Sequence, residues 1–139
     1  MKIVCGIEIS GNDANIVLLR GNKSEYVIIK SEFKKIKLDD DRDQSQIKSF
    51  HEVIGTFMTQ SKVDKLCIRR PSTSGKFNAG PKAFKIEAVL QLSSVPVELF
   101  HSATIASIIK KSSISNEKYE AILKYQRGAF EVAFCGLEG

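Results

Sequence analysis

An acidic side chain closes the first apolar run of this chain. Ile3-Val4-Cys5-Gly6-Ile7 has the composition of a buried strand, and Glu8 stands at its end. A carboxylate taken out of water must be paired, bound to a metal or neutralised, because an unpaired buried charge is costly. Glu8 is therefore the first candidate for a site. A plainer reading stands beside it, in which Glu8 forms a partly buried ion pair with Arg69 or Arg70 across adjacent strand ends.

The second cluster with chemical character is basic. Arg69-Arg70-Pro71 is followed by a polar stretch to Gly80-Pro81-Lys82 that carries Ser74, Gly75 and Lys76, with Lys85 just beyond. A loop between a strand's carboxyl end and a helix N-terminus lies where open α/β sheets collect ligands. Hydroxyls, glycine amides, cations and the positive end of a helix dipole all favour an anion there. Arg69, Arg70, Ser74, Lys76, Lys82 and Lys85 are thus the expected phosphate or nucleic-acid contacts. Ser74-Gly75-Lys76 echoes a P-loop, but the first glycine and the hydroxyl residue after the lysine are missing, so that assignment fails. The plainer reading is a solvent-exposed loop rich in small polar residues.

The remaining reactive side chains form no cluster. Cys5, Cys67 and Cys135 lie in apolar segments, and their odd number and wide spacing match neither a disulfide framework nor a zinc site. They read as small buried hydrophobes. His51 and His101 stand apart at ordinary surface or cap positions. The net charge of +5 permits a polyanionic partner without requiring one.

These residues need elements to hold them. The 139 residues, 42% hydrophobic and 27% charged, suit one domain with a proper core, expected to span 1–139. No stretch approaches the roughly 20 apolar residues of a bilayer span, and the opening reads as a strand instead of a secretion leader. No membrane contact and a cytoplasmic location are the expectations. Residues 2–9, 14–20 and 25–38 read as three strands joined by tight, glycine- and asparagine-containing links, which makes an antiparallel meander. Ile47, Phe50, Ile54, Phe57 and Met58 recur at helical spacing behind a plausible N-cap, Asp43. Lys65 to Arg69 is a short strand stopped by Pro71, and Pro81 begins a helix to about Leu92. A strand over 95–100 follows, then a short helix capped by Ser102. Tyr119, Ile122, Leu123, Gln126, Phe130, Ala133, Phe134 and Leu137 make one apolar stripe, which predicts a helix that Gly128 weakens without breaking. Strands joined through helices are normally parallel. The sum is an α/β protein with a mixed five-stranded sheet and flanking helices.

That order resembles the ribonuclease H-like fold of RuvC-type Holliday-junction resolvases, their YqgF relatives, and transposase and integrase cores. Cys5-Gly6-Ile7-Glu8-Ile9-Ser10-Gly11, then Ile16-Val17-Leu18-Leu19, is similar to the opening of a RuvC-type domain, where an apolar strand ends in Gly-Ile-Asp before a glycine turn. Leu66 to Pro71, the loop and helix, and Val95-Pro96-Val97-Glu98 resemble that family's fourth to fifth strands. Over its whole length the chain also resembles a bacterial family of small uncharacterised proteins, a domain of unknown function.

The resemblance implies a chemistry in which three or four acids hold two divalent ions that activate water against a phosphodiester. Glu8 takes the first-strand acidic position, as glutamate where aspartate is usual, which makes it the implied metal ligand for Mg or Mn. At the fourth-strand position Arg69, Arg70 and Pro71 replace the acid, and a cation there opposes metal binding. Glu131, ahead of Val132-Ala133-Phe134, faintly resembles the acidic late helix and is the second implied catalytic residue, though paired acids one turn apart are absent. Its plainer reading is a solvated helix face shared with Glu120, Lys124 and Arg127. Three functions follow. One is a nucleic-acid or phosphate-binding module with a degenerate carboxylate set. The second is a metal-dependent nuclease using Glu8 with Glu131 or Asp13. The third is a non-catalytic interaction protein, as a homo-oligomer through a sheet edge. Magnesium or manganese is the cofactor that the second would use.

Overall fold

A computed structural model describes residues 1–72 and 80–139. Strands β1 (Ile3–Ser10) and β2 (Asp13–Gly21) form a hairpin, and β3 (Tyr26–Ile29) and β4 (Lys35–Lys37) both pair antiparallel with β2. Helix α1 (Gln44–Gln60) leads to β5 (Lys65–Arg69), which lies parallel to β1, and helix α2 (Pro81–Gln91) leads to β6 (Val97–Phe100), parallel to β5. The strand order is β3-β2-β1-β5-β6, with β4 beside the start of β2 and β3 beside its end. Helices α3 (Ser102–Lys110), α4 (Asn116–Glu120) and α5 (Arg127–Gly136) complete the chain, with a 3-10 turn at Lys124–Gln126.

Three details depart from the sequence pattern. The strand expected over 25–38 is two strands, so the mixed sheet has six strands where five were expected. The expected C-terminal helix is α4, the 3-10 turn and α5. The break arises because the Gln126 side chain accepts the Leu123 amide at 2.9 Å, and its own amide donates to the Ile16 carbonyl on β2 at 3.0 Å. Gln126 lies in the apolar stripe but is buried as a hydrogen-bonding bracket. Finally, Ser102 is the first residue of α3 and its hydroxyl takes Arg69; His101 occupies the cap position. Asp43 does cap α1, its carboxylate accepting the Ser45 amide at 2.9 Å.

The sheet separates two apolar layers, and strand alternation assigns each residue to one. Cys5 and Ile7 of β1, Ile16 and Leu18 of β2, and Leu66 and Ile68 of β5 pack against Phe50, Ile54, Phe57 and Met58 of α1 and Ile86 and Leu90 of α2. Val4, Val17, Leu19 and Cys67 face the other way, against Ile105 of α3 and Phe130, Ala133 and Phe134 of α5. Helix α5 lies very close to the sheet. A Cβ on Gly6 would sit 2.1 Å from the Ala129 carbonyl and 2.6 Å from the Ala133 Cβ. Only glycine fits there, and the small residues of α5 are the counterpart of that approach. Among the described residues no helix is long and apolar enough to cross a membrane.

Candidate functional site

The alternation that builds the two layers also sorts the polar residues at the strand ends. Glu8 shares the parity of Val4 and Gly6, and so points toward α5. Arg69 shares that of Cys67 and points to the same side, whereas Arg70 falls on the α2 side. Glu8 and Arg69 are register partners on parallel neighbours. Arg69 Nη1 donates to Glu8 Oε2 at 3.0 Å, and Arg69 Nε donates to the Ser102 hydroxyl at 3.1 Å. The guanidinium therefore bridges β1 to α3 across the end of β5. Burial pushes the Glu8 carboxyl above its ordinary range; Arg69 draws it down and Glu131 draws it up, leaving the net shift upward.

Arg70 pairs with a different acid. Its Nε lies 3.6 Å from Glu87 Oε2 on α2, a carboxylate whose side chain is only 7% exposed. Neither atom has a hydrogen-bonding partner among the described residues. Lys82 donates to Asn12 Oδ1 at 2.6 Å and to the Asp39 carbonyl at 2.7 Å, tying the start of α2 to the β1–β2 turn. Lys85 is occupied by Asp41, through its carbonyl at 3.0 Å and its carboxylate at 3.2 Å. Ser74 and Lys76 lie outside the described residues.

Glu131 is brought near Glu8 by α5. Its Oε2 accepts the Tyr119 hydroxyl at 2.9 Å and lies 3.6 Å from Arg127 Nε. Burial and that hydrogen bond push the Tyr119 phenol up to about 12. Glu131 therefore belongs to the site's wall and is not an open helix face.

Two clefts flank the Glu8–Arg69 pair. One, of about 490 Å³, is lined by Glu8, Asn12, Arg69, Arg70, Lys82 and Ser102 among others. The other, of about 360 Å³, is lined by Glu8, Arg69, Lys124, Tyr125, Arg127 and Glu131, with smaller polar neighbours. Both open at the carboxyl end of β5, which is the ligand side of a parallel sheet. Of the six basic-cluster candidates, the first cleft gathers Arg69, Arg70 and Lys82, while Lys85 is not among its lining residues.

The donor set does not fit a resident divalent cation. Glu8 and Glu131 each have a guanidinium within ion-pair distance, and among the described residues no three His, Cys, Asp or Glu side chains come together as a metal site. Hard cations need several oxygen ligands free of competing positive charge.

The sequence pattern gives Gly128 only as a weak point in the last helix, and the structure gives it a role at the site. A Cβ there would lie 2.1 to 2.4 Å from the Glu8 carboxylate atoms, so the glycine at the start of α5 makes the space that carboxylate occupies. The signal was present as a glycine inside a helical stripe, for which close approach is one physical cause. Lys124, Tyr125 and Arg127 were also missed as site residues, because a periodic pattern treats the polar side of a helix as solvent.

The model of a family described as "Protein of unknown function (DUF3010)" matches residues 1–136. A comparison with curated proteins finds no match. Thermus thermophilus RuvC superposes with a TM-score of 0.71 at 9% identity, over 95% of this chain and 91% of that one. RuvC from T. thermophilus in complex with Holliday junction substrate gives 0.67 at 10% identity, over 96% and 91%. The fowlpox virus resolvase with Holliday junction DNA gives 0.53 at 14% identity, over 96% and 95%. Identities this low speak to fold alone, and the fold is ribonuclease H-like.

Proposed function

Because the chain belongs to the DUF3010 family, whose function is unknown, we propose its role from the site: it binds the phosphate backbone of nucleic acid and does not cut it. The observation that carries this reading is the Arg69–Glu8 pair. Where the resembled nucleases gather acids around metal, this chain holds one strand-end carboxylate engaged by a guanidinium at 3.0 Å. The chemistry left to the first cleft is that of its cations. Arg69 and Arg70 each have one acidic partner, and Lys82 contacts only neutral oxygens among the described residues. The cleft therefore keeps net positive charge, which suits a phosphodiester anion. Similar folds holding Holliday junction DNA support nucleic acid over free phosphate as the ligand class.

Three phosphate contacts predict a salt slope near −2.7, a loss of roughly fortyfold in affinity between 50 and 200 mM salt. Fluorescence anisotropy with labelled duplex, single-stranded and four-way-junction DNA measures it. Undetectable or salt-insensitive binding to all three would overturn the proposal. Cleavage in magnesium or manganese that disappears in Glu8→Gln would replace it with the nuclease reading.

A further inference from the structure

Among the described residues, the second cleft differs from the first in having an aromatic side chain in its wall. Tyr125 sits in the 3-10 turn Lys124–Gln126, and that turn is fixed from below. Gln126 is buried, bonded to the Ile16 carbonyl on β2 and to the Leu123 amide. The residues before it in the turn project from a rigid support. Tyr125 keeps 38% of its surface in solvent. The Lys35 ammonium lies 5.0 Å from its ring centroid, a cation–π arrangement that holds the ring in place from the β4 side. Lys124 next to it is exposed and has no carboxylate partner among the described residues. Across the cleft, Arg127 and Arg69 face Glu131 and Glu8 and balance them. Lys124 is left as the surplus charge beside an open aromatic surface.

We infer that Tyr125 and Lys124 form a stacking subsite for an unpaired base of single-stranded nucleic acid, the base against the Tyr125 ring and its phosphate on Lys124. The inference rests on the backbone-binding reading above and extends it to a preference in strand type. Base pairs within a duplex keep their faces against one another, so only an unpaired base offers a π surface to an aromatic side chain. Every base has that surface, which makes the contact indifferent to sequence. The cleft, about 360 Å³, falls within the range of small-ligand pockets.

The experiment compares labelled oligothymidylate with a mixed-sequence duplex of equal length, using the full chain at fixed salt, as wild type, Tyr125→Ala and Tyr125→Phe. Thermal melts verify that each variant is folded. Tyr125→Ala is expected to weaken oligothymidylate binding roughly tenfold while leaving the duplex within about twofold, and Tyr125→Phe, which keeps the ring, to bind oligothymidylate like wild type. Equal losses for both probes, or no loss for either, would overturn the stacking subsite. Wild type that binds duplex in a salt-dependent way but ignores oligothymidylate also overturns it and leaves the backbone-binding reading intact. Wild type that binds neither probe overturns both.

Discussion

The carboxylate of Glu8 rests against the backbone of Gly128, so closely that a methyl group there would stand 2.1 Å from Oε2. One residue comes from the first strand and the other from the last helix. Their contact sets where Glu8 can be, and hence whether Arg69 can reach it.

A double-mutant cycle tests this contact. In wild type, Gly128→Ala must push the Glu8 carboxylate aside and disturb its 3.0 Å bond to Arg69. An alanine inside a helix otherwise gains up to about 1 kcal/mol over glycine. With Glu8→Ala the three atoms nearest the new methyl are gone, so Gly128→Ala should turn from neutral or destabilising to stabilising. Urea unfolding should give a coupling of about 1 kcal/mol or more. Additive effects would show that the two residues do not share space.

Gly6→Ala should behave differently. Its obstacles are the Ala129 carbonyl and the Ala133 Cβ and amide, parts of a helix docked on the sheet that cannot swing away. Overpacking of this kind typically costs about 1–3 kcal/mol, and backbone obstacles put Gly6 at the upper end. A urea midpoint equal to wild type would mean that α5 lies further from β1 than described.

The pH dependence of stability follows from the upward shift of Glu8, whose largest cause is burial. With a folded pKa above the unfolded one, the native state binds the proton more tightly than the unfolded chain does. The stability linked to this proton is full below the ordinary value of 4.5 and is lost as pH rises through the shifted one. Glu8→Gln keeps an acceptor for Arg69 and carries no charge. Its stability relative to wild type should therefore increase between about pH 4 and pH 7. A difference that stays constant or shrinks over that range would contradict the shift.

The thiols should be inert in the native protein. Cys5, Cys67 and Cys135 are all buried, and burial pushes Cys67 up to about 12, Cys135 up to about 11 and Cys5 higher. Thiolate is the reacting form, so labelling by a disulfide reagent at pH 8 should be negligible until denaturant is added, when all three react. Rapid native labelling of any one would show an opened helix layer on the sheet.

Much of this molecule is written along the chain. Helical periodicity marked α1 and the apolar stripe of α5, and apolar runs bounded by turn residues or proline marked the first hairpin and β5, because each is a local record of what is buried. Alternation along β5 even sends Arg69 and Arg70 to opposite faces. What the repeat does not contain is the partner on each face. That Arg69 meets Glu8 is settled by the register of β5 against β1, and that Arg70 meets Glu87 by α2 covering the other face. Gln126 looked like one more position of a stripe until β2 supplied a carbonyl for it, and Gly128 looked like a weak point until Glu8 filled its space. Local pattern follows from a residue's own chemistry and its near neighbours. Charge pairing and close approach depend on atoms from distant segments arriving within a few ångströms, and the pairing of β5 with β1 and the packing of α2 and α5 on opposite faces of the sheet bring them there.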